Sequence, residues 1–105
     1  MASNNTSHTV MTSVHKYQLS DRLNRTVVNM PAGAQILRLA LQKEVPTIWA
    51  RVDPDASRVE RTFEIFGTGR SIPTGANYIG TFDAGPFVWH VFELLPDELV
   101  PGEQK

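Results

Sequence analysis

Hydrophobic positions in this chain recur at every second residue over short runs, and glycine, proline and small polar residues cut the runs apart. That period marks half-buried β-strands, because successive side chains on a strand point to opposite faces. The densest stretch runs from Arg61 to Leu94. Thr62, Phe63, Ile65 and Phe66 are β-branched or aromatic and suit a pleated surface, and Gly67 with Gly69 stop the run. In the segment that follows, Pro73 presets its own φ and Gly75 accepts a positive one, so the chain reverses before a strand from Asn77 to Phe82. Strict alternation puts Tyr78, Gly80 and Phe82 on one face of that strand. The last run, Phe87 to Leu94, is apolar on both sides, Phe87, Trp89 and Val91 alternating with Val88, His90 and Phe92. Such a pattern predicts a strand covered twice.

Upstream, His15 to Leu19 reads as a first strand with Tyr17 and Leu19 on one face, followed by a polar turn over Ser20 to Asn24 and a second strand over Arg25 to Met30. Pro31 to Ala34 breaks the chain. The run Gln35 to Glu44 supports two readings: its Ala, Leu, Gln, Lys and Glu are helix formers, yet Leu37, Leu39 and Leu41 alternate against Arg38 and Gln42. The strand is favoured, because Val45-Pro46 then makes a hairpin bend into Thr47 to Asp53, where Ile48, Ala50 and Val52 alternate with an outward Trp49 and Arg51. Asp53 to Arg61 mixes charges of both signs and reads as a solvated turn and loop.

These elements predict an all-β fold, a small antiparallel β-sandwich or partly closed barrel of six to seven short strands. A single domain spans 15–95, with a disordered tail over 1–14 and a flexible one over 96–105, both too poor in apolar residues to order themselves. The 105 residues suffice for one core and not for two. Small sheets expose edges, and the doubly apolar last strand together with Trp49 exceeds what one thin sandwich hides. A homo-oligomer is therefore expected, the alternative being a monomer closed into a barrel.

Composition narrows the partners. A net charge of −1 argues against general nucleic-acid binding and against a membrane-surface role, while leaving room for local basic patches. The chain has no cysteine, so disulfides and thiolate metal sites are excluded, in keeping with a cytoplasmic location. No apolar run is long enough to span a bilayer.

Candidate chemistry is sparse. Gly67-Thr68-Gly69-Arg70 combines a backbone that a ligand can approach, a hydroxyl and a planar cationic fork suited to phosphate or carboxylate. It matches neither a phosphate-binding P-loop nor a dinucleotide fingerprint, and its plainer reading is a hairpin turn with an exposed arginine. His90 lies mid-strand without a recognisable nucleophile or orienting acid, which favours a structural histidine over a catalytic one; an enzyme reading would pair it with an acid such as Glu64 or Asp83. Trp49 and Trp89 can stack a base, or serve as core or interface. Arg51, Arg38 and Arg61 add cationic positions. No histidine pair has a metal-ligand spacing, and no cofactor is implied.

The segments TIWARVDPDA, RTFEIFGTGRSIP, NYIGTF and FVWHVFE, with MPAGAQIL before them, resemble a family of short uncharacterised proteins encoded by tailed bacteriophages and prophages. The resemblance covers about His15 to Leu94. Relatives carry a turn similar to GTGHPIP, where this chain has Arg70-Ser71, so a ligand contact at position 70 would differ in charge here. The resemblance implies a phage origin and a host-takeover or counter-defence role exercised by binding. The expectation is a non-catalytic oligomeric sponge, in the host cytoplasm, that sequesters a small anionic, nucleotide-type signal through Gly67, Thr68, Gly69, Arg70, Trp49, Trp89, His90 and Arg51. The competing expectation is a protein inhibitor or virion accessory protein whose aromatic and arginine residues anchor an interface.

Overall fold

The computed structural model describes residues 10–20 and 25–99. Seven strands follow in order: β1 (Ser13–Gln18), β2 (Arg25–Pro31), β3 (Gln35–Gln42), β4 (Val45–Val52), β5 (Arg58–Gly67), β6 (Asn77–Ala84) and β7 (Phe87–Leu94), with a 3-10 turn at Pro96–Leu99. They form two antiparallel sheets, β1-β4-β3 and β2-β5-β7-β6, packed as a sandwich rather than closed into a barrel. The Gln35 run is a strand, in line with its alternation rather than its helix propensity.

Alternation explains the core. Ile48, Ala50 and Val52 of β4 are fully buried, and they meet Val28 and Met30 of β2, Phe63 and Ile65 of β5 and Val91 of β7 from the facing sheet. Leu19, immediately after β1, closes one end of this core with its amide donating to the Pro46 carbonyl at 2.8 Å. That contact also explains a proline in a central strand. The carbonyl and the missing N–H of Pro46 point to the same side, where β1 has already ended and no ladder donor is needed.

Several expectations are corrected. The β3–β4 bend is made by Lys43 and Glu44, with φ of 52° and 67°, and Gln42 pairs with Val45. Positive φ at both central residues is the twist that a two-residue hairpin demands, and neither residue advertises it. Val45 and Pro46 are already strand. The first strand starts at Ser13, within the expected tail, and β5 starts at Arg58, which shortens the expected loop to residues 53–57. An Asx turn, Asp55 N–H to Asp53 Oδ1 at 3.0 Å, shapes that loop. The expected Ser20–Asn24 turn lies largely outside the described residues.

Two bulges break the expected alternation. One lies between Ile36 and Arg38, so that Leu37 turns out to solvent while Ile36 and Leu39 pack on the core. The other lies between Tyr78 and Gly80, so that Tyr78 leaves the face shared by Gly80 and Phe82, and Ile79 packs inward. Both sit on edge strands, β3 and β6, which face each other across the sandwich. A bulge there twists the edge away from foreign strands.

Candidate functional site

The two sheets turn different chemistry outward. On β1-β4-β3, burial of Ile48, Ala50 and Val52 leaves Thr47, Trp49 and Arg51 on the outer face. The register sets Lys16 and Arg38 on either side of Trp49, one from each flanking strand. Lys16 Nζ donates to Gln42 Oε1 at 2.7 Å, and this arm crosses above Thr47, which lies between them in the register and is fully buried. Arg51 Nε donates to Thr12 Oγ1 at 3.0 Å. Both partners are neutral, and among the described residues the ion pairs involve none of Lys16, Arg38 and Arg51. The outward positions of these strands, Val14, Lys16 and Gln18, Thr47, Trp49 and Arg51, and Gln35, Arg38, Ala40 and Gln42, include no carboxylate. The result is a half-buried indole in a cationic field.

The outer face of β2-β5-β7-β6 is ordered in cross-strand rows. Arg25, Glu64, Phe92 and Tyr78 form one row, and Phe66, His90 and Thr81 the next. The Glu64 carboxylate is buried between two guanidiniums, with Arg25 Nη2 at 3.0 Å from Oε1 and Arg70 Nη2 at 2.7 Å from Oε2. Arg70 folds back from the turn so that its Cζ lies 4.5 Å from the Phe66 ring centroid, while Phe66 meets Phe92 edge-on at 5.8 Å. A cation over an aromatic face explains how Phe66 is buried on a face that carries no second layer among the described residues. The expected double cover of β7 is corrected accordingly: Val91 and Leu94 are buried, but Phe87 and Val88 are exposed, and among the described residues the outer face is covered by side chains of its own sheet and of the turn that carries Thr68 and Arg70.

His90 is held at both ring nitrogens. Thr68 Oγ1 lies 2.9 Å from Nε2 and donates to the Val88 carbonyl at 3.3 Å, and Thr81 Oγ1 lies 3.1 Å from Nδ1 and 2.6 Å from the Tyr78 hydroxyl. Since Thr68 spends its one proton on Val88, it must accept from Nε2–H, and Nδ1 then accepts from Thr81 in the neutral ring. The hydrogen bonds run one way from Tyr78 through Thr81, His90 and Thr68 to the backbone. Threonines thus occupy the ring positions where the enzyme reading needed Glu64 or Asp83, and Glu64 is engaged by Arg25 and Arg70.

The expected site residues therefore fall in separate places. Trp49 and Arg51 share the outer face of the three-stranded sheet, whereas Thr68, Arg70 and His90 gather on that of the four-stranded sheet. Trp89 points inward and packs on the core, and a Cβ at Gly67 would lie 3.3 Å from its ring, so Gly67 serves this close approach. Gly69 serves the turn, with φ of 97° and the Arg70 amide closing on the Gly67 carbonyl at 3.1 Å. Arg70 and Trp89 thus lie on opposite faces of one sheet. Arg61 is also committed: it bonds Glu93 through Nε at 2.7 Å and Nη2 at 2.8 Å, and the Ala34 carbonyl through Nη1 at 2.7 Å. The hydrogen bond and charge of Glu93 hold this guanidinium above its ordinary value against the opposing effect of burial. Lys16 escaped the sequence reading. Its outward phase follows from Tyr17 and Leu19 pointing in, but its place beside Trp49 depends on the strand pairing.

Fold and faces together define a class: a small two-sheet antiparallel sandwich with one cationic, tryptophan-centred outer face and one histidine- and arginine-bearing outer face. Within that class the chain belongs to the DUF7352 family, a domain of unknown function, whose family model matches residues 11–100. No curated protein and no solved structure matches the chain. Among the described residues no helix is long and apolar enough to cross a membrane.

Proposed function

We propose that this protein is a non-catalytic binding protein that captures an anionic, nucleotide-type ligand on the outer face of its three-stranded sheet. One observation carries the reading: Lys16, Trp49 and Arg38 stand side by side across three strands, with Arg51 next along β4 and no carboxylate among the outward positions. An indole offers a stacking surface to any base, and cations without acidic partners favour phosphate. The resemblance to phage proteins supplies a setting, the host cytoplasm during infection, where such a protein sequesters a defence signal. Self-association belongs to the same reading, because the exposed Phe87 and Val88 add apolar surface that a second copy would cover. The test is equilibrium dialysis of the full chain against ADP-ribose, linear and cyclic dinucleotides and ATP, followed by heat release and chromatography of the ligand. Retention and recovery of an unaltered ligand support the proposal. Failure to retain any of them at micromolar protein overturns it.

A second reading has its own observation. Tyr78 is exposed, packs on Phe92 at 5.4 Å and lies on the same face as Arg70, and tyrosine and arginine dominate the energetics of protein interfaces. If that face binds a protein, Tyr78→Ala and Arg70→Ala abolish binding of that protein and leave dialysis with nucleotides unchanged.

A further inference from the structure

We infer that the cationic face takes a stretch of single-stranded nucleic acid, with one base stacked on Trp49 and successive phosphates on the surrounding cations; the inference rests on the anion-binding role proposed for the same surface. The geometry separates the charges. Lys16 and Arg38 flank Trp49 from opposite sides of β4, but the Lys16 ammonium is held at Gln42, four residues along β3 from Arg38 and about 13 Å from it at the backbone. Arg51 is two residues further along β4, about 7 Å from Trp49 at the backbone. Trp49 lies in the row between the Lys16 and Arg38 backbones, with Arg51 further along β4. Cations placed around a base-stacking ring meet phosphates on different sides of that base, whereas a site for one phosphate draws its donors to one point.

Two further features agree. The hydrogen bonds of Lys16 to Gln42 and of Arg51 to Thr12 fix those side chains without neutralising them. They resemble a prepaid ordering cost more than a structural ion pair. The face is also an open sheet surface bordered by edge strands, so a chain can enter and leave it along its length. A net charge of −1 hides this asymmetry, because carboxylates such as Glu64 and Glu93 are spent on arginines of the other sheet. Duplex is disfavoured, since its bases are already stacked and unavailable to Trp49.

Fluorescence anisotropy with the full chain and labelled (dT)8, competed by dTMP, an 8-bp duplex and an octaglutamate peptide, tests the inference. The expected result is (dT)8 binding at least tenfold tighter than any competitor. Its log–log salt slope is about −2, from three phosphate contacts on a single strand. Trp49→Ala weakens (dT)8 binding by about fivefold or more, and Arg38→Glu, at an exposed position, does so without threatening the core. If dTMP or octaglutamate competes as well as (dT)8, the single-strand inference is overturned while the anion-binding reading stands. If neither the oligonucleotide nor the nucleotides of the dialysis experiment bind, both fall.

Discussion

Gly80 of β6 lies against Leu39 of β3 in the facing sheet, and replacing it with alanine measures how tightly the two sheets are locked there. A Cβ built there lies 3.0 Å from Leu39 Cδ2 and 3.1 Å from Leu39 Cβ. Carbon atoms pack favourably at about 3.5–4.0 Å, so each contact must open by roughly half an ångström. The Leu39 methyl can rotate away, but its Cβ moves only with the β3 backbone, so the sheets themselves must give. Overpacking of this kind costs about 1–3 kcal/mol. The loss of chain entropy in the unfolded state that accompanies Gly→Ala returns about 0.4–1 kcal/mol. Packing wins, and Gly80→Ala is expected to destabilise by about 1–2 kcal/mol, a fall in Tm of about 4–16 °C for a domain of this size. Urea unfolding followed by tryptophan fluorescence reads the change. Leu39→Gly removes both the Cδ2 and the Cβ contact, so in the double variant the penalty at position 80 shrinks, with a coupling of at least about 0.5 kcal/mol. A neutral or stabilising Gly80→Ala, or a cycle additive within about 0.3 kcal/mol, would refute the close inter-sheet approach.

Glu64→Gln leaves the buried position filled but turns an amide donor toward one of two guanidiniums. Because Arg25 and Arg70 are 48% and 45% exposed and can retreat into water, the expected cost in urea unfolding is about 1–3 kcal/mol rather than that of a fully buried pair; no loss would mean the carboxylate contributes nothing. Replacing Lys43-Glu44 with Asn-Gly suits the positive φ at both positions and should stabilise by about 1 kcal/mol; destabilisation would contradict the hairpin geometry. The neutral His90 ring is expected as the Nε2–H tautomer, visible in the nitrogen chemical shifts of the imidazole; an Nδ1–H tautomer would break the direction of the bonds through Thr68. The Arg61 charge should confer no pH dependence below about pH 10: a cation whose folded value is raised contributes fully below its unfolded value and loses that contribution only as pH climbs through the folded one.

Much of the architecture was legible because local pattern and global environment agree. Ile48, Ala50 and Val52 alternate in sequence and are buried together, and the same rule puts Trp49 and Arg51 outward. The rule failed at Leu37 and Tyr78, where a bulge adds one residue to an edge strand and reverses the phase. It failed again at Lys43-Glu44, because positive φ there is imposed by strand twist and not by glycine or asparagine.

What the sequence alone determined is therefore the period-two order of the strands, the single all-β domain and the side on which most residues lie. Tertiary structure alone decided who stands next to whom. It set Lys16 and Arg38 beside Trp49, gave Glu64 to Arg25 and Arg70, and sent Trp89 to the face opposite Arg70. The physical reason is that alternation is a property of each strand's own backbone, whereas neighbours across a sheet are chosen by pairing between segments distant in the chain. Any charge on this protein acquires its meaning only through that pairing.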